Sequence, residues 1–104
     1  MERQDLSDKE RKVLKSIESV TDPEFGKSIG SRQLIDEVKV EGETASIVFH
    51  LTVPFCPDVF ALHIGREIMG KAKEVDGVEK VNIRVKDHRN AEKLTQKLME
   101  ESDD

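Results

Sequence analysis

The single cysteine of the chain, Cys56, is the residue whose type and position best support chemistry. It lies between Pro54 and Pro57, where an alternating apolar run ends and a helical pattern begins. Because proline favours the first position of a helix, Pro57 is predicted at that position and Cys56 at the N-cap. Unpaired N–H groups and the positive end of the helix dipole would then favour thiolate over thiol. The pattern therefore predicts a reactive thiol that serves as a metal or redox ligand.

The alternative interpretation of Cys56 is a small buried apolar residue, which free cysteines often are. Asp58, two residues away, disfavours the thiolate, whereas Lys27 or Arg32 would compensate if their loop folds over the helix start. A lone cysteine is also an incomplete metal site, and no CxxC or HxxxH pattern accompanies it. Ligands from a second chain or from a partner would therefore be needed to hold a metal or a cluster.

The three histidines are interpreted as ordinary surface residues. His50 is predicted on the polar face of a strand, His63 on the polar arc of a helix and His88 at the start of the last helix. Nucleophilic catalysis by a cysteine needs a base within hydrogen-bond reach, and a nearby carboxylate does not lower a thiol pKa. We therefore expect a protein that is not an enzyme.

Composition and charge exclude several classes of function. The chain has 104 residues and a formal net charge of −5, which argues against broad attraction to nucleic acid or to an anionic membrane. The K-homology RNA-binding module has a related element order but needs a GxxG loop, which this sequence lacks. No signal-peptide pattern and no run of about 20 apolar residues occur, and one cysteine cannot form an internal disulfide. We expect a cytoplasmic protein.

The elements that would position Cys56 follow from local patterns. Ser7 to Glu10 has the form of a capping box, and an apolar stripe at helical spacing follows it as far as Asp22-Pro23. Further elements are predicted as a loop over 22–33, strands over 34–41 and 44–53, a helix over 57–75, a strand over 78–86 and a helix over 87–101. Gly77 is expected to end the second helix in a left-handed conformation.

The predicted order is α-β-β-α-β-α. Because each strand has one apolar and one largely polar face, the helices should share one face of a three-stranded mixed sheet. The fold class is therefore α+β, as a two-layer sandwich. We expect one domain over residues 7–101, with disordered tails at 1–6 and 102–104. A surplus apolar edge on the second helix, Leu62 and Met69, is expected to contact either the third helix or a second copy of the chain.

Three segments of the chain resemble the MIP18 family of iron–sulfur assembly factors, also called DUF59. They are Asp22-Pro23-Glu24 with Ser28-Ile29 and Leu34-Ile35, similar to DPE…SI…LGLI; Leu51-Thr52-Val53-Pro54-Phe55-Cys56-Pro57, similar to LTxPxCP; and Gly77-Val78-Glu79-Lys80-Val81-Asn82-Ile83, similar to GVxxVxV. The resemblance covers about residues 10–100.

This resemblance implies a role in maturing iron–sulfur proteins, with Cys56 as the reactive thiol that contacts a transient iron–sulfur cluster. The residues implied as supporting it are Asp22, Glu24, Thr52, Pro54 and Pro57. The implied partners are client apoproteins and proteins of the assembly machinery, and a homodimer is an open alternative. The second interpretation is a protein–protein adaptor for a maturation ATPase or client, with no cluster of its own.

The sequence departs from the family pattern at two places. Arg32-Gln33-Leu34-Ile35 stands where the family has LGLI, so a glycine is lost. After the third strand many members have a DPPWTP segment, where this chain has Asp87-His88-Arg89-Asn90. A partner surface built on that segment is therefore expected to be missing or different.

Overall fold

A computed structural model of the protein describes residues 6–22, 26–30, 33–51 and 57–102. The helices are α1 (Asp8–Ile17), α2 (Asp58–Lys73) and α3 (Ala91–Ser102). The strands are β1 (Thr21–Asp22), β2 (Lys27–Ser28), β3 (Ile35–Glu41), β4 (Thr44–His50) and β5 (Lys80–Lys86). Of the expected tails, residues 1–5 and 103–104 lie outside the described residues.

The predicted capping box begins α1. Ser7 Oγ accepts the Glu10 N–H at 3.2 Å, and Glu10 Oε1 accepts the Ser7 N–H at 2.8 Å. The helix ends at Ile17, however, well before the stop predicted at Asp22-Pro23. The residues after Ile17 bond instead to the segment that follows β2, because the Ile29 N–H donates to the Val20 carbonyl at 2.8 Å. Tertiary pairing therefore replaces the last predicted helical turn.

The segment predicted as a loop over residues 22–33 contains part of a small hairpin. β1 pairs antiparallel with β2, Thr21 opposite Ser28 and Asp22 opposite Lys27. Gly26 has a positive φ of 69°, which glycine adopts at little cost in this turn. Two-residue strands are too short for the alternation that identifies a strand from sequence.

The main sheet has the strand order β3-β4-β5 and is mixed, as predicted. β3 and β4 form an antiparallel hairpin that turns at Gly42, which has a φ of 60°. β4 and β5 run parallel, with Ile47 opposite Ile83 and Phe49 opposite Val85. These four side chains are buried, whereas their neighbours along each strand point to the other face. The fold is therefore the predicted α+β arrangement of three helices and a three-stranded sheet.

Side chains of the helices also protect the two edges of this sheet. On the β3 edge, Glu10 of α1 accepts the Val40 N–H through Oε2 at 2.8 Å. On the β5 edge, Thr95 Oγ1 of α3 accepts the Val85 N–H at 2.9 Å. An exposed strand edge offers free N–H groups to other chains, so these contacts disfavour edge-to-edge association at those positions.

The surplus apolar edge of α2 contacts the third helix, which was one of its two expected partners. Leu62, Gly65 and Met69 share this side of α2, and α3 packs closely enough that a Cβ on Gly65 would lie 2.5 Å from Leu98 Cδ1. Arg66 of α2 also donates through Nε to Glu101 Oε1 at 2.7 Å. In the described ranges no helix is both long and apolar enough to cross a membrane.

Candidate functional site

The carboxyl ends of β4 and β5 and the start of α2 meet at one end of the molecule. Parallel pairing places His50, the last residue of β4, opposite Lys86, the last residue of β5. The chain leaves β4 through Leu51 and begins α2 at Asp58. Since Asp58 is hydrogen-bonded to Asn90, in the turn after β5, the amino end of α2 lies at this same end. In the sequence, residues 52–56 with Cys56 separate the two elements that meet here.

The start of α2 differs by one residue from the prediction. Pro57 was predicted as the first helical residue and Cys56 as the N-cap, but Pro57 itself is the N-cap, with φ −55° and ψ 138°. This ψ is extended, so helical backbone begins only at Asp58, whose carboxylate suits the positive end of the helix dipole. The Pro57 carbonyl accepts the Phe60 N–H at 3.0 Å, and its side chain makes no cap hydrogen bond.

Most of the predicted site residues lie outside the described residues: Glu24, Thr52, Pro54 and Cys56. Asp22 lies on β1, where its backbone pairs with Lys27 of β2. Pro57 is the N-cap of α2. The proposed association of the acidic residues with the thiol therefore stays a prediction.

A hydrogen-bonded network supports the amino end of α2 from the turn before α3. Asn90 Nδ2 donates to Asp58 Oδ1 at 3.1 Å and to Oδ2 at 3.3 Å. The Asn90 N–H donates to His88 Nδ1 at 3.0 Å, so this ring nitrogen acts as the acceptor. The network therefore ties the amino end of α2, directly after the 52–56 segment in the sequence, to the turn that follows β5.

The burial of His88 contradicts the prediction of an ordinary surface residue that begins the last helix. Its side chain is 8% exposed, and α3 begins only at Ala91. Asp87 has a positive φ of 57°, which ends β5 in a turn and directs the next residue inward. Asn90 was not predicted as a site residue, although asparagine directly before a helical pattern is a typical cap signal.

A second polar group lies at the same end, on the sheet face away from the helices. His50 Nδ1 is 2.8 Å from Asp36 Oδ2, and because a carboxylate only accepts, this nitrogen donates. Lys86 Nζ is 3.8 Å from Asp36 Oδ1. The register of β3 against β4 shifts between Ile35 and Glu37, so Asp36 is an extra residue that the strand alternation did not reveal. His50 lies on the predicted polar face but is partly buried and hydrogen-bonded to Asp36 there, while His63 is exposed on α2 as expected.

The ligands for a metal are not complete in the described part of the chain. There, no group of three or more histidine, cysteine, aspartate or glutamate side chains is placed to hold a metal ion. A cluster bound at this end would therefore need donors from residues 52–56, from the other undescribed segments or from another chain. The thiolate is the donor that iron–sulfur clusters use most.

Comparison with known proteins identifies the family. Residues 10–85 match the family described as iron–sulfur cluster assembly protein. The chain belongs to that family. This confirms the resemblance seen in the LTxPxCP-like and GVxxVxV-like segments.

Relatives of this assembly-family protein agree with the assignment. The chain is 36% identical over 73 residues to the iron–sulfur cluster carrier protein of Synechocystis, which covers 70% of this chain and 20% of the carrier. It is 32% identical over 90 residues to an uncharacterized protein of Methanocaldococcus jannaschii, over 85% of this chain and 92% of that protein. It also resembles the crystal structure of a DUF59 domain from Bacillus anthracis, with a TM-score of 0.67, 28% identity and coverage of 74% and 73% of the two chains. The chain thus spans about a fifth of the curated carrier and nearly all of the archaeal relative.

Proposed function

We propose that this protein is an iron–sulfur cluster assembly or carrier factor that acts through the thiol of Cys56. The observation that carries the proposal is that α2 begins at Asp58, with Pro57 as its N-cap, directly after Cys56 in the sequence. Cys56 directly precedes Pro57, the N-cap residue of the 16-residue helix α2. The Pro57 side chain accepts no hydrogen bond from the N–H groups of the first turn. A thiol beside such a helix end is stabilised as the thiolate, which is the form that ligates iron.

The contacts of Asp58 reduce the main objection to an anionic thiol at this position. A free carboxylate two residues from Cys56 would repel a thiolate. Asn90 donates its side-chain amide to both carboxylate oxygens, so a share of the negative charge on Asp58 is compensated locally. The same contacts hold the start of α2 in place, and the reactive segment gains a stable anchor.

The supporting residues have distinct proposed roles. Pro54 and Pro57 would restrict the backbone on both sides of the thiol, and Thr52 would provide a hydroxyl near the end of β4. Asp22 and Glu24, on the segment around β1, would approach the cluster or the client protein as acidic contacts. We propose no catalytic residue, and we assign the iron–sulfur cluster as transient cargo rather than a resident cofactor.

The proposed partners are client apoproteins and proteins of the assembly machinery. Since one thiol is an incomplete ligand set, Cys56 would share the cluster with a second chain or with the acceptor protein. We expect this exchange in the cytoplasm, where a single cysteine stays reduced. We expect neither nucleic acid nor a membrane as a partner.

The second candidate function is an adaptor that binds a maturation ATPase or client and holds no cluster. The match to the Synechocystis carrier favours this adaptor function, because the region of the carrier that matches this chain is only 20% of the carrier's length. In that arrangement the remaining part would carry the cluster, and this domain would provide contacts only. Cys56→Ala would then leave client binding and maturation in cells intact.

Anaerobic reconstitution with iron and sulfide tests the first proposal directly. The wild-type protein should develop sulfur-to-iron charge-transfer absorbance, and Cys56→Ser should abolish it. Val59→Ser is a matched control, because Val59 lies in the first turn of α2 with 64% of its surface exposed and offers no native ligand. Equal absorbance in wild type and Cys56→Ser would remove Cys56 as the ligand.

The pH dependence of the alkylation rate separates the two candidates at lower cost. A thiol activated by the helix end should show a pKa below the value of about 8.5 typical of free cysteine. A pKa at or above that value favours the adaptor. Urea-unfolded protein provides the internal reference, since it lacks the helix end.

A further inference from the structure

The sheet face away from the helices is not covered by any described element, and we call it the open face. Its residues come in three rows, one on each strand. They are Asp36, Glu37, Lys39 and Glu41 on β3; Thr44, Ser46, Val48 and His50 on β4; and Lys80, Asn82, Arg84 and Lys86 on β5. The middle row contains no lysine, arginine, aspartate or glutamate and is only partly exposed, and we call it the neutral row. It would let another flat surface approach to the spacing of about 10 Å seen between packed sheets.

The charges of the open face are unequal on the two sides of this neutral row. The β5 row holds cations at three of its four positions, whereas the β3 row holds carboxylates at Glu37 and Glu41. Among the described residues, Arg84, Lys80 and Glu41 have no ion-pair partner, and Glu37 pairs only with Lys39, at 3.1 Å. The face therefore presents unpaired charges of opposite sign on opposite sides.

The strand register places these opposite charges at matching heights. Glu37 and Arg84 are both paired with Val48, so they lie on one level across the sheet. Glu41 and Lys80 are both paired with Thr44 and lie on a second level. A two-fold axis parallel to β4 exchanges the two sides of the face and keeps each level.

We propose that the open face binds the open face of a second copy of this chain, about a two-fold axis close to the β4 direction. Glu37 of each copy then faces Arg84 of the other, and Glu41 faces Lys80. The neutral row packs against itself along the axis. Such an isologous interface is self-complementary because every pair occurs twice.

The same charges exclude the other face-to-face arrangement. A two-fold axis perpendicular to the strands would place the β5 row against the β5 row of the second copy. With the axis at mid-strand, Lys80 would face Lys86 of the second copy, and Arg84 would face Asn82 with no carboxylate opposite it. Like charges across an interface are strongly unfavourable. The charge pattern thus selects one of the two orientations.

The selected orientation also determines where the two copies of the Cys56 segment begin. The importance of this position rests on the proposed function of Cys56. Because the axis runs along β4, the carboxyl ends of both β4 strands lie at the same end of the dimer. The two segments that follow Leu51, each with a Cys56, therefore leave the sheets at that shared end. The excluded arrangement would place them at opposite ends.

The size of the face predicts a weak, salt-sensitive dimer. Three strands of seven residues give an area of about 350 Å² per copy. A standard protein–protein interface buries about 800 Å² on each partner, so this face is less than half that size. Its ion pairs are also partly exposed. The screening length falls from about 10 Å at 0.1 M salt to about 3 Å at 1 M. We expect the dissociation constant to rise at least about tenfold over this range.

Sedimentation analysis of the full chain at 0.1 M and 1 M NaCl, up to about 1 mM protein, tests the proposal. Lys80→Glu/Arg84→Glu gives two acidic rows, and Glu37→Lys/Glu41→Lys gives two basic rows. Each double variant alone should be monomeric, whereas an equimolar mixture should form a heterodimer. Lys12→Glu/Lys93→Glu makes the same charge change on exposed helix positions and should dimerise like the wild type. Circular dichroism verifies that each variant is folded.

A wild-type protein that stays monomeric at 0.1 M NaCl and 1 mM would overturn the proposal. So would a Lys80→Glu/Arg84→Glu variant that dimerises as well as the wild type. Failure of the mixed variants to associate would also contradict it. Cys56→Ser separates this proposal from the proposed function. It should dimerise normally even when it forms no cluster, and loss of dimerisation in the charge variants should leave the alkylation pKa of Cys56 unchanged.

Discussion

The stability that the Asn90–Asp58 contact contributes at the start of α2 can be measured. Asn90→Ala removes both hydrogen bonds to the carboxylate, at 3.1 and 3.3 Å. A hydrogen bond to a charged group contributes about 1.5–3 kcal/mol, but both side chains are partly exposed and one amide serves both oxygens. We therefore expect a loss of about 1–1.5 kcal/mol. For a domain of this size the melting temperature should fall by about 4–8 °C.

A double-mutant cycle isolates this interaction from other effects of the substitutions. Asp58→Ala also loses a favourable charge at the helix start, of about 0.3–1 kcal/mol, so neither single variant measures the contact alone. Chemical denaturation of the wild type, both single variants and the double variant should give a coupling energy of about 1 kcal/mol. Asn90→Asp has nearly the same shape but places two carboxylates together, and it should destabilise more than Asn90→Ala.

Amide hydrogen exchange then shows which parts of the protein are destabilised by Asn90→Ala. Amide protection should fall most in the first turn of α2 and in the turn before α3, because the contact joins these two places. A coupling energy below about 0.3 kcal/mol, within the usual error of additivity, would refute the role given to this contact. So would an Asn90→Asp variant as stable as the wild type.

Two further predictions concern the helices. Gly65→Ala should destabilise the protein by about 1–2 kcal/mol, because its Cβ would lie 2.5 Å from a side-chain carbon of α3. Gly70→Ala on the same helix meets nothing within 4 Å and should stabilise the protein by up to about 1 kcal/mol. Thermal melts of both variants test this, and stability changes of the same sign would contradict the packing. The backbone N–H groups of Ser7 and Val40 hold the pKa of Glu10 below its ordinary value of 4.5. The stability contributed by Glu10 is therefore present above that value and lost as the pH falls through the lowered pKa, so Glu10→Gln should flatten the acid side of the stability profile measured by urea denaturation. An unchanged slope would show that these bonds do not favour the charged form.

Much of the fold could be predicted because its signals are local. The capping box of Ser7 and Glu10, the alternation along β4 and β5, and the left-handed φ of 88° at Gly77 each depend on residues close in sequence. Gly77 does not end α2 as predicted, however, because the helix stops at Lys73 with Glu74 as its cap. The two-layer arrangement then followed from the single apolar face of each strand. The site was predictable to the extent that a proline-bounded cysteine identifies a junction of a strand and a helix.

The errors arose where contacts distant in sequence override local preference. Helix α1 stops at Ile17 because the segment after β2 competes for the same backbone groups. His88 is buried because a left-handed Asp87 turns the chain, and no periodic pattern records a single such residue. The extra residue in β3 that directs Asp36 toward His50 is likewise a matter of register between two strands.

The sequence by itself determined the family, the element order and the reactive thiol as a hypothesis, because motifs and periodicity are properties of neighbouring residues. Tertiary structure alone decided what surrounds the start of α2: the cap at Pro57, the amide of Asn90 on Asp58 and the buried imidazole of His88. It also decided that opposite charges of β3 and β5 lie at equal heights on the open face. These features depend on distances between residues far apart in the chain, and such distances exist only once the sheet and helices have packed.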